Sequence, residues 1–197
     1  MEEKGVASKK MDDFKNIGYL SIGTPRQREA FTVMKKLGIM ETLQAFDPIL
    51  VGTIPLDIDI GSSDLDIVCC TTEMDRFSQT VFRAYRQLGA YAESRTIVRG
   101  IETAVIQFQC DGFLFELFAQ PVPSDRQNGY RHMVIEARML AAGGERMRDE
   151  IRRLKRAGMK TEPAFMHYLQ LACDDPYERL LAFEMVCDEE LSRMLAR

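Results

Sequence analysis

An α+β (mixed α/β) fold is what this sequence predicts, and three observations predict it. Short apolar runs of alternating polarity recur between residues 49 and 118. One amphipathic helical pattern interrupts them, at residues 73–88. After Pro121 and Pro123 the alternation gives way to helical spacing that continues to the C-terminus.

The elements follow in order. Residues 1–22 are polar and mixed, and read as a loosely held lead-in. From Thr24-Pro25 to Phe46 the spacing of Ala30, Phe31, Met34, Leu37, Leu43 and Phe46 predicts a helix, bent or interrupted at Gly38. Asp47-Pro48 ends it, because the residue before a proline is pushed out of the helical region. Ile49–Val51 is a short strand, followed by Gly52-Thr53 and a loop over 54–63. Leu65, Ile67, Val68 and Cys69 make a second strand. Met74, Phe77, Val81, Tyr85 and Leu88 mark the helix at 73–88, which Gly89 stops. Residues 91–98, 101–109 and 113–118 read as three more strands, joined by the hairpin-type pairs Arg99-Gly100 and Asp111-Gly112. Helices are expected over 126–142, 145–157, 161–173 and 176–195, with Ala142-Gly143-Gly144, Gly158 and Asp174-Asp175-Pro176 between them. The chain thus divides into the lead-in (1–22), a core (23–123) and a helical region packed on it (124–197).

Composition narrows the function classes. At 46% hydrophobic and 28% charged, the 197 residues suit a folded globular chain rather than a disordered one. A net charge of -4 and a pI near 5.4 do not favour general affinity for nucleic acid or an anionic membrane. No apolar run nears the ~20 residues of a membrane span, and the N-terminus carries no apolar stretch of the secretory type. Five cysteines without a CxxC pair read as reduced core thiols, which points to a cytoplasmic setting. Two scattered histidines do not make a histidine-rich metal site.

The chemistry is concentrated in Ile49-Leu50-Val51-Gly52-Thr53, a ten-residue spacer, and Asp64-Leu65-Asp66-Ile67. Asp64 and Asp66 are two apart on a strand, so both carboxylates project from one face. Carboxylates that close repel, and a shared proton, a cation or a bound metal offsets the repulsion. Phe115-Glu116-Leu117 places a third acid inside an apolar strand, and Glu116 joins the pair if the two strands are neighbours. Such a set of hard oxygen ligands suits magnesium, and two ions can clamp an in-line phosphoryl displacement. A calcium-loop reading of Asp57, Asp59 and Gly61 fails, because the glycine falls one position early.

This arrangement resembles the DNA polymerase beta-like nucleotidyltransferase superfamily. Its pattern of Gly followed by a hydroxyl or second glycine, a spacer of about ten residues, acid-apolar-acid and a later apolar-acid-apolar strand is filled by Gly52, Thr53, Asp64, Asp66 and Glu116. More closely, the chain looks like a bacterial family of unknown function assigned to that superfamily. That likeness spans about residues 26–185, in GTIPLDIDIGSSDLDIVC, FELFAQ, QNGYRHM, and KTEPAF with DDPYERLL. The resemblance implies a nucleotidyltransferase-like mixed sheet and transfer of a nucleoside monophosphate from a nucleoside triphosphate to a hydroxyl acceptor. Asp64, Asp66 and Glu116 would then be catalytic and hold two Mg2+ ions, with Glu116 as general base. Gly52, Thr53 and Ser63 would bind the nucleotide. Thr53 stands where serine is commoner, and keeps the hydroxyl. In the superfamily a helix usually begins near the Gly-Ser turn. Pro55 fits a first helical turn, whereas Leu56 to Ile60 alternates like a strand. Two other readings use the same pocket: a module that binds a nucleotide or phosphorylated ligand without turnover, and a toxin-like modifier of RNA or protein.

Two further clusters stand out. Gln127, Tyr130, Arg131 and His132 gather amide, phenol, guanidinium and imidazole near one helix start and are candidate substrate-binding residues, with Arg131 suited to a phosphate. Arg146, Arg148, Arg152, Arg153, Lys155 and Arg156, with Lys160 nearby, form a basic segment that reads first as a solvated helix face. Thr161-Glu162-Pro163 reads as a helix start and His167 as a helix residue. The many methionines of the last third read as packing.

Overall fold

The computed structural model describes residues 14–196. A five-stranded sheet is ordered β1-β2-β5-β4-β3. Its strands are β1 (Ile49–Val51), β2 (Leu65–Cys70), β3 (Gly89–Val98), β4 (Ile101–Cys110) and β5 (Phe113–Gln120). Only β2 and β5 run parallel; β1–β2, β4–β5 and β3–β4 are antiparallel. The two hairpins turn at Arg99-Gly100 and Asp111-Gly112, as their sequences predict.

Strand alternation divides the sheet into two faces. Leu65, Ile67 and Cys69 of β2, Ala104, Ile106 and Phe108 of β4, and the odd residues Phe113 to Ala119 of β5 bury one face. Against it pack α1 (Pro25–Leu37), the short α2 (Ile39–Thr42) and α3 (Met74–Tyr85). Phe108 stacks between Tyr85 of α3 and Phe115, with ring centroids 5.0 Å apart on each side. Such pairs add ~0.5–1.5 kcal/mol each to the burial itself, and they fix α3 on the sheet. The expected helix of 24–46 is in fact α1, a left-handed Gly38, α2 and a 3-10 turn at Gln44–Phe46. Thr24 and Gln27 form a reciprocal capping box at its start.

The opposite face meets the C-terminal helices. The longest, α4 (Asn128–Arg156), joins two of the expected helices across a break at Gly144, whose φ of 64° and ψ of -162° are non-helical. α5 (Thr161–Tyr168), α6 (Pro176–Leu181) and α7 (Asp188–Leu195) pack on α4. The helix expected over 161–173 stops at Tyr168, and the one expected over 176–195 opens at Val186–Cys187. Arg138 of α4 reaches the carbonyls of Phe183, Glu184 and Val186, so that opening is satisfied by a side chain instead of helical N–H groups.

The lead-in also differs from expectation where it is described. Phe14, Ile17 and Leu20 are buried, and Asn16 caps a 3-10 turn at Ile17–Ile22. The rest of it, residues 1–13, lies outside the described residues. All five cysteines are free; Cys69 is buried, Cys110 and Cys173 are half-buried against the two cores, Cys70 is half-buried, and Cys187 is exposed and not a core thiol. Among the described residues no helix is long and apolar enough to cross a membrane.

Candidate functional site

Alternation along the strands sends Asp66 of β2, Gln107 of β4 and Glu116 of β5 to the face opposite the first core. Asp66 stands directly beside Glu116 in the parallel β2–β5 register, and Glu116 beside Gln107 in the β4–β5 register. On its other side Asp66 is paired with Val51, so the chain leaves β1 at Gly52-Thr53 right next to it. Asp64 lies just before β2. Asp66, Glu116 and the Gly-Thr turn, remote in sequence, therefore lie side by side across β1, β2 and β5, with Asp64 near enough to act on Asp66 electrostatically.

Electrostatics mark Asp66. Burial, then Glu116, then Asp64 push its carboxyl up to about 7, while Lys155 pulls the other way. Burial also raises Asp64, against Lys160. The Gln107 amide donates to the Glu116 carboxylate. No three His, Cys, Asp or Glu side chains among the described residues converge closely enough to enclose one metal ion. The donor chemistry nevertheless fits a hard cation: the carboxylates repel, and Asp66 has no cation paired to it among the described residues.

Gly52 adopts φ +86°, and a β-carbon there would lie 2.6 Å from Asp66 Oδ2. Only glycine passes this point without moving the carboxylate. Thr53 follows, with its hydroxyl donating to Ser63 Oγ at 3.2 Å; Ser63 Oγ in turn accepts the Ile60 N–H at 2.9 Å.

The spacer is neither the helix nor the strand that its sequence suggested. It is a series of turns in which Ile54, Leu56 and Ile58 are all buried. Long side chains hold its carbonyls from both sides. Gln27 of α1 donates to Ile54 O at 2.8 Å. From α4, Arg148 donates to Leu56 O at 2.6 Å, Arg152 to Asp57 O, and Lys155 to Ile58 O at 2.8 Å. Half of the basic segment thus faces inward and fastens the loop, a correction to its reading as a solvated face.

Between this sheet face and α4 lies a cleft of about 490 Å3. Gly52, Thr53 and Asp66 line one wall, and Gln127, Asn128, His132, Glu136, Glu162 and Tyr177 line the other. Of the predicted substrate-binding residues, Gln127 and His132 reach it. Gln127 is occupied structurally, donating to Cys69 O at 2.7 Å and Val122 O at 3.0 Å. Tyr130 is buried in the second core, and Arg131 is paired with Glu184 and Asn128, so neither lines the cleft. His132 joins three helices. Its Nε2 is 3.1 Å from Tyr177 O of α6, and its Nδ1 is 3.2 Å from Glu162 Oε1 of α5. A carbonyl only accepts, so Nε2 donates there, and the second contact needs a proton shared between Nδ1 and Glu162.

Glu136 and Glu162 were not singled out in the sequence. Glu162 read only as part of a helix start. Glu136 had a signal: it follows Met133-Val134-Ile135 and precedes Met139-Leu140, so no solvated face of the helix is left for it.

Comparison with curated proteins gave no match. Among solved structures, one concerning the structural plasticity of Cid1 and its RNA terminal uridylyl transferase activity superposes with a TM-score of 0.51 at 10% identity. The alignment covers 74% of this chain and 47% of that one, so this chain spans about half its length. A GLD-2/RNP-8 complex (TM-score 0.48, 14% identity, 95% and 81% of the chains) and the polymerase core of TRAMP, an RNA surveillance complex (0.47, 12%, 98% and 65%), are also similar. The first of these likenesses shows the fold: the five-stranded mixed sheet with its flanking helices is a nucleotidyltransferase-like α+β fold. The family described as a domain of unknown function, DUF4269, matches residues 32–183, most of the chain. This chain belongs to the DUF4269 family.

Proposed function

We propose that the protein is a metal-dependent nucleotidyltransferase moving a nucleoside monophosphate from a nucleoside triphosphate to a hydroxyl acceptor. The observation that carries this reading is Asp66 in register with Glu116, beside the Gly52-Thr53 turn and at the edge of the cleft. Asp64, Asp66 and Glu116 would hold two Mg2+ ions. Bound there, the ions would neutralise charge on the phosphates and on the attacking oxygen. Gly52 lets the backbone approach the triphosphate, and the Thr53 hydroxyl, turned away from Ser63 Oγ, would donate to a phosphate oxygen. Glu116 accepts the acceptor's hydroxyl proton. The oxygen then bonds to the α-phosphorus, the bond from that phosphorus to the β-bridging oxygen breaks, and pyrophosphate leaves with its electron pair. The helices α4 to α6 form the wall that selects the acceptor.

One observation favours a second reading, a nucleotide-binding module without turnover. The Gln107 amide sits on the Glu116 carboxylate and competes for the lone pairs a general base needs.

The test is thermal stability against ATP, GTP, CTP and UTP, each with and without Mg2+, for the wild type and Asp66→Asn. Pyrophosphate release is then followed with pooled hydroxyl compounds. A Mg2+-dependent rise in Tm that Asp66→Asn lacks, together with pyrophosphate release, is the expected result. The rise without any release supports the binding module. Absence of any nucleotide effect overturns both.

A further inference from the structure

Glu136 is 3% exposed and lines the cleft, yet among the described residues it takes no hydrogen bond and forms no ion pair. It lies on the same stripe of α4 as Asn128 and His132, about two turns beyond the first and one turn beyond the second. Across the cleft wall is Glu162 of α5, whose carboxylate is already engaged by His132. Lys155, a cation within electrostatic range of both, donates to Ile58 O and, among the described residues, forms an ion pair with neither. On the sheet side the cleft is lined by Asp66, another acid. Burial, then Glu162, holds the Glu136 carboxyl well above the usual carboxylate range, and an occupant carrying a positive charge would restore the ionised form. Val51, Val68, Phe118 and Met133 give the cleft an apolar stretch; Arg99 and Arg126 also line it, Arg99 already paired with Asp175 and Glu178.

The geometry points to an ammonium-recognition subsite at Glu136, flanked by Glu162, which takes a positively charged amino group of the acceptor. The inference rests on the transferase reading and narrows its substrate class to hydroxyl compounds that also carry an amine and an apolar body. The amine is a recognition handle. The hydroxyl remains the group that reacts.

The probe is n-butylammonium chloride on the full chain, against n-butanol as the neutral shape match and NaCl at equal ionic strength. Methyl NMR signals of Val51, Val68 and Met133 report occupancy. The expected result is saturable binding of n-butylammonium, roughly tenfold tighter than n-butanol. Glu136→Gln should abolish that preference and Glu162→Gln should reduce it. Glu136→Gln is isosteric and removes a buried acid, and Glu136→Met serves as a second variant if the first does not fold. The subsite is overturned if n-butylammonium does not saturate, if the two probes bind alike, or if the preference survives in Glu136→Gln. Tighter binding of butyramide than of n-butylammonium also overturns it, since Glu136 would then be a protonated donor for a neutral group. The MgATP effect on wild-type Tm, measured without amine, reports the transferase reading separately.

Discussion

A β-carbon on residue 52 would fall 2.6 Å from Oδ2 of Asp66, well inside van der Waals contact. The turn after β1 and the acid of β2 are therefore fitted to each other, and the φ of +86° at Gly52 makes the same demand a second time. Gly52→Ala should cost ~1–3 kcal/mol from backbone strain alone. It should also displace the Asp66 carboxylate. The expected outcome is a lower Tm together with loss of any Mg2+-dependent nucleotide stabilisation. A variant that keeps both would show that the turn adapts freely and does not set the position of Asp66.

Asp66 makes stability depend on pH with a definite sign. Its carboxyl is held at about 7, above the ordinary value near 3.8. Between those values the folded chain keeps a proton that the unfolded chain has lost, so this group's contribution is present at low pH and is lost as pH rises towards 7. Asp66→Asn removes the effect. The difference in Tm between Asp66→Asn and wild type should grow from pH 4 to pH 7 in chelator and level off above it. Each ~1 kcal/mol relieved corresponds to ~2–4 °C for a chain of this size. Added Mg2+ should narrow the gap by stabilising the wild type. A gap that is constant across pH would mean that Asp66 is ordinarily ionised.

The strands and their faces were legible because period-two alternation survives in β2, β4 and β5. Asp66 and Glu116 could be placed on strands from the sequence, and so could the consequence if those strands were neighbours. Their actual adjacency could not be read. It depends on β5 entering the sheet parallel to β2 after a crossover through α3 and a hairpin. The spacer misled for a different reason. Leu56, Ile58 and Ile60 alternate like a strand, but the forces that shape the segment come from side chains more than ninety positions away. Arg148, Arg152 and Lys155 looked like a solvated face because their own sequence neighbours, Glu145, Asp149 and Glu150, offer local ion pairs. Arg148 and Arg152 make those local pairs as well as the carbonyl contacts.

The same clamp yields a third prediction. Lys155 is 7% exposed, and burial lowers its ammonium to about 8 although four acids near it act in the opposite direction. Lys155→Met keeps the chain length but leaves Ile58 O without its donor and removes a cation facing Glu136, Glu162, Asp59 and Asp66. A loss of ~2–4 kcal/mol is expected, the range for breaking a buried charged contact. Amide exchange at Leu56 and Ile58, whose N–H groups bond to Thr53 O in the folded loop, should speed up more than exchange in β4. Uniform acceleration would instead assign Lys155 to global stability and not to the loop.

Arg99 closes the cleft at its far end. It sits at the tip of the β3–β4 hairpin with φ +52°, lines the cleft, and pairs with Asp175 at 3.5 Å and with Glu178, both at the start of α6. Tyr177, between those acids, lines the opposite wall. The pair joins the outer edge of the sheet to the helical wall without a covalent link. All three side chains are about half exposed, so the contact contributes only ~0–1 kcal/mol to stability. Arg99→Gln should therefore leave Tm within ~2–4 °C of wild type. Its effect should appear in access: amide exchange in α6 should speed up, and n-butylammonium should enter and leave faster with little change in affinity. High salt should reproduce this behaviour in the wild type, because screening acts on exposed pairs first. If Arg99→Gln unfolds the chain, or if α6 exchange is unmoved by both the substitution and salt, the hairpin and α6 are held by packing alone and the ion pair does not gate the cleft.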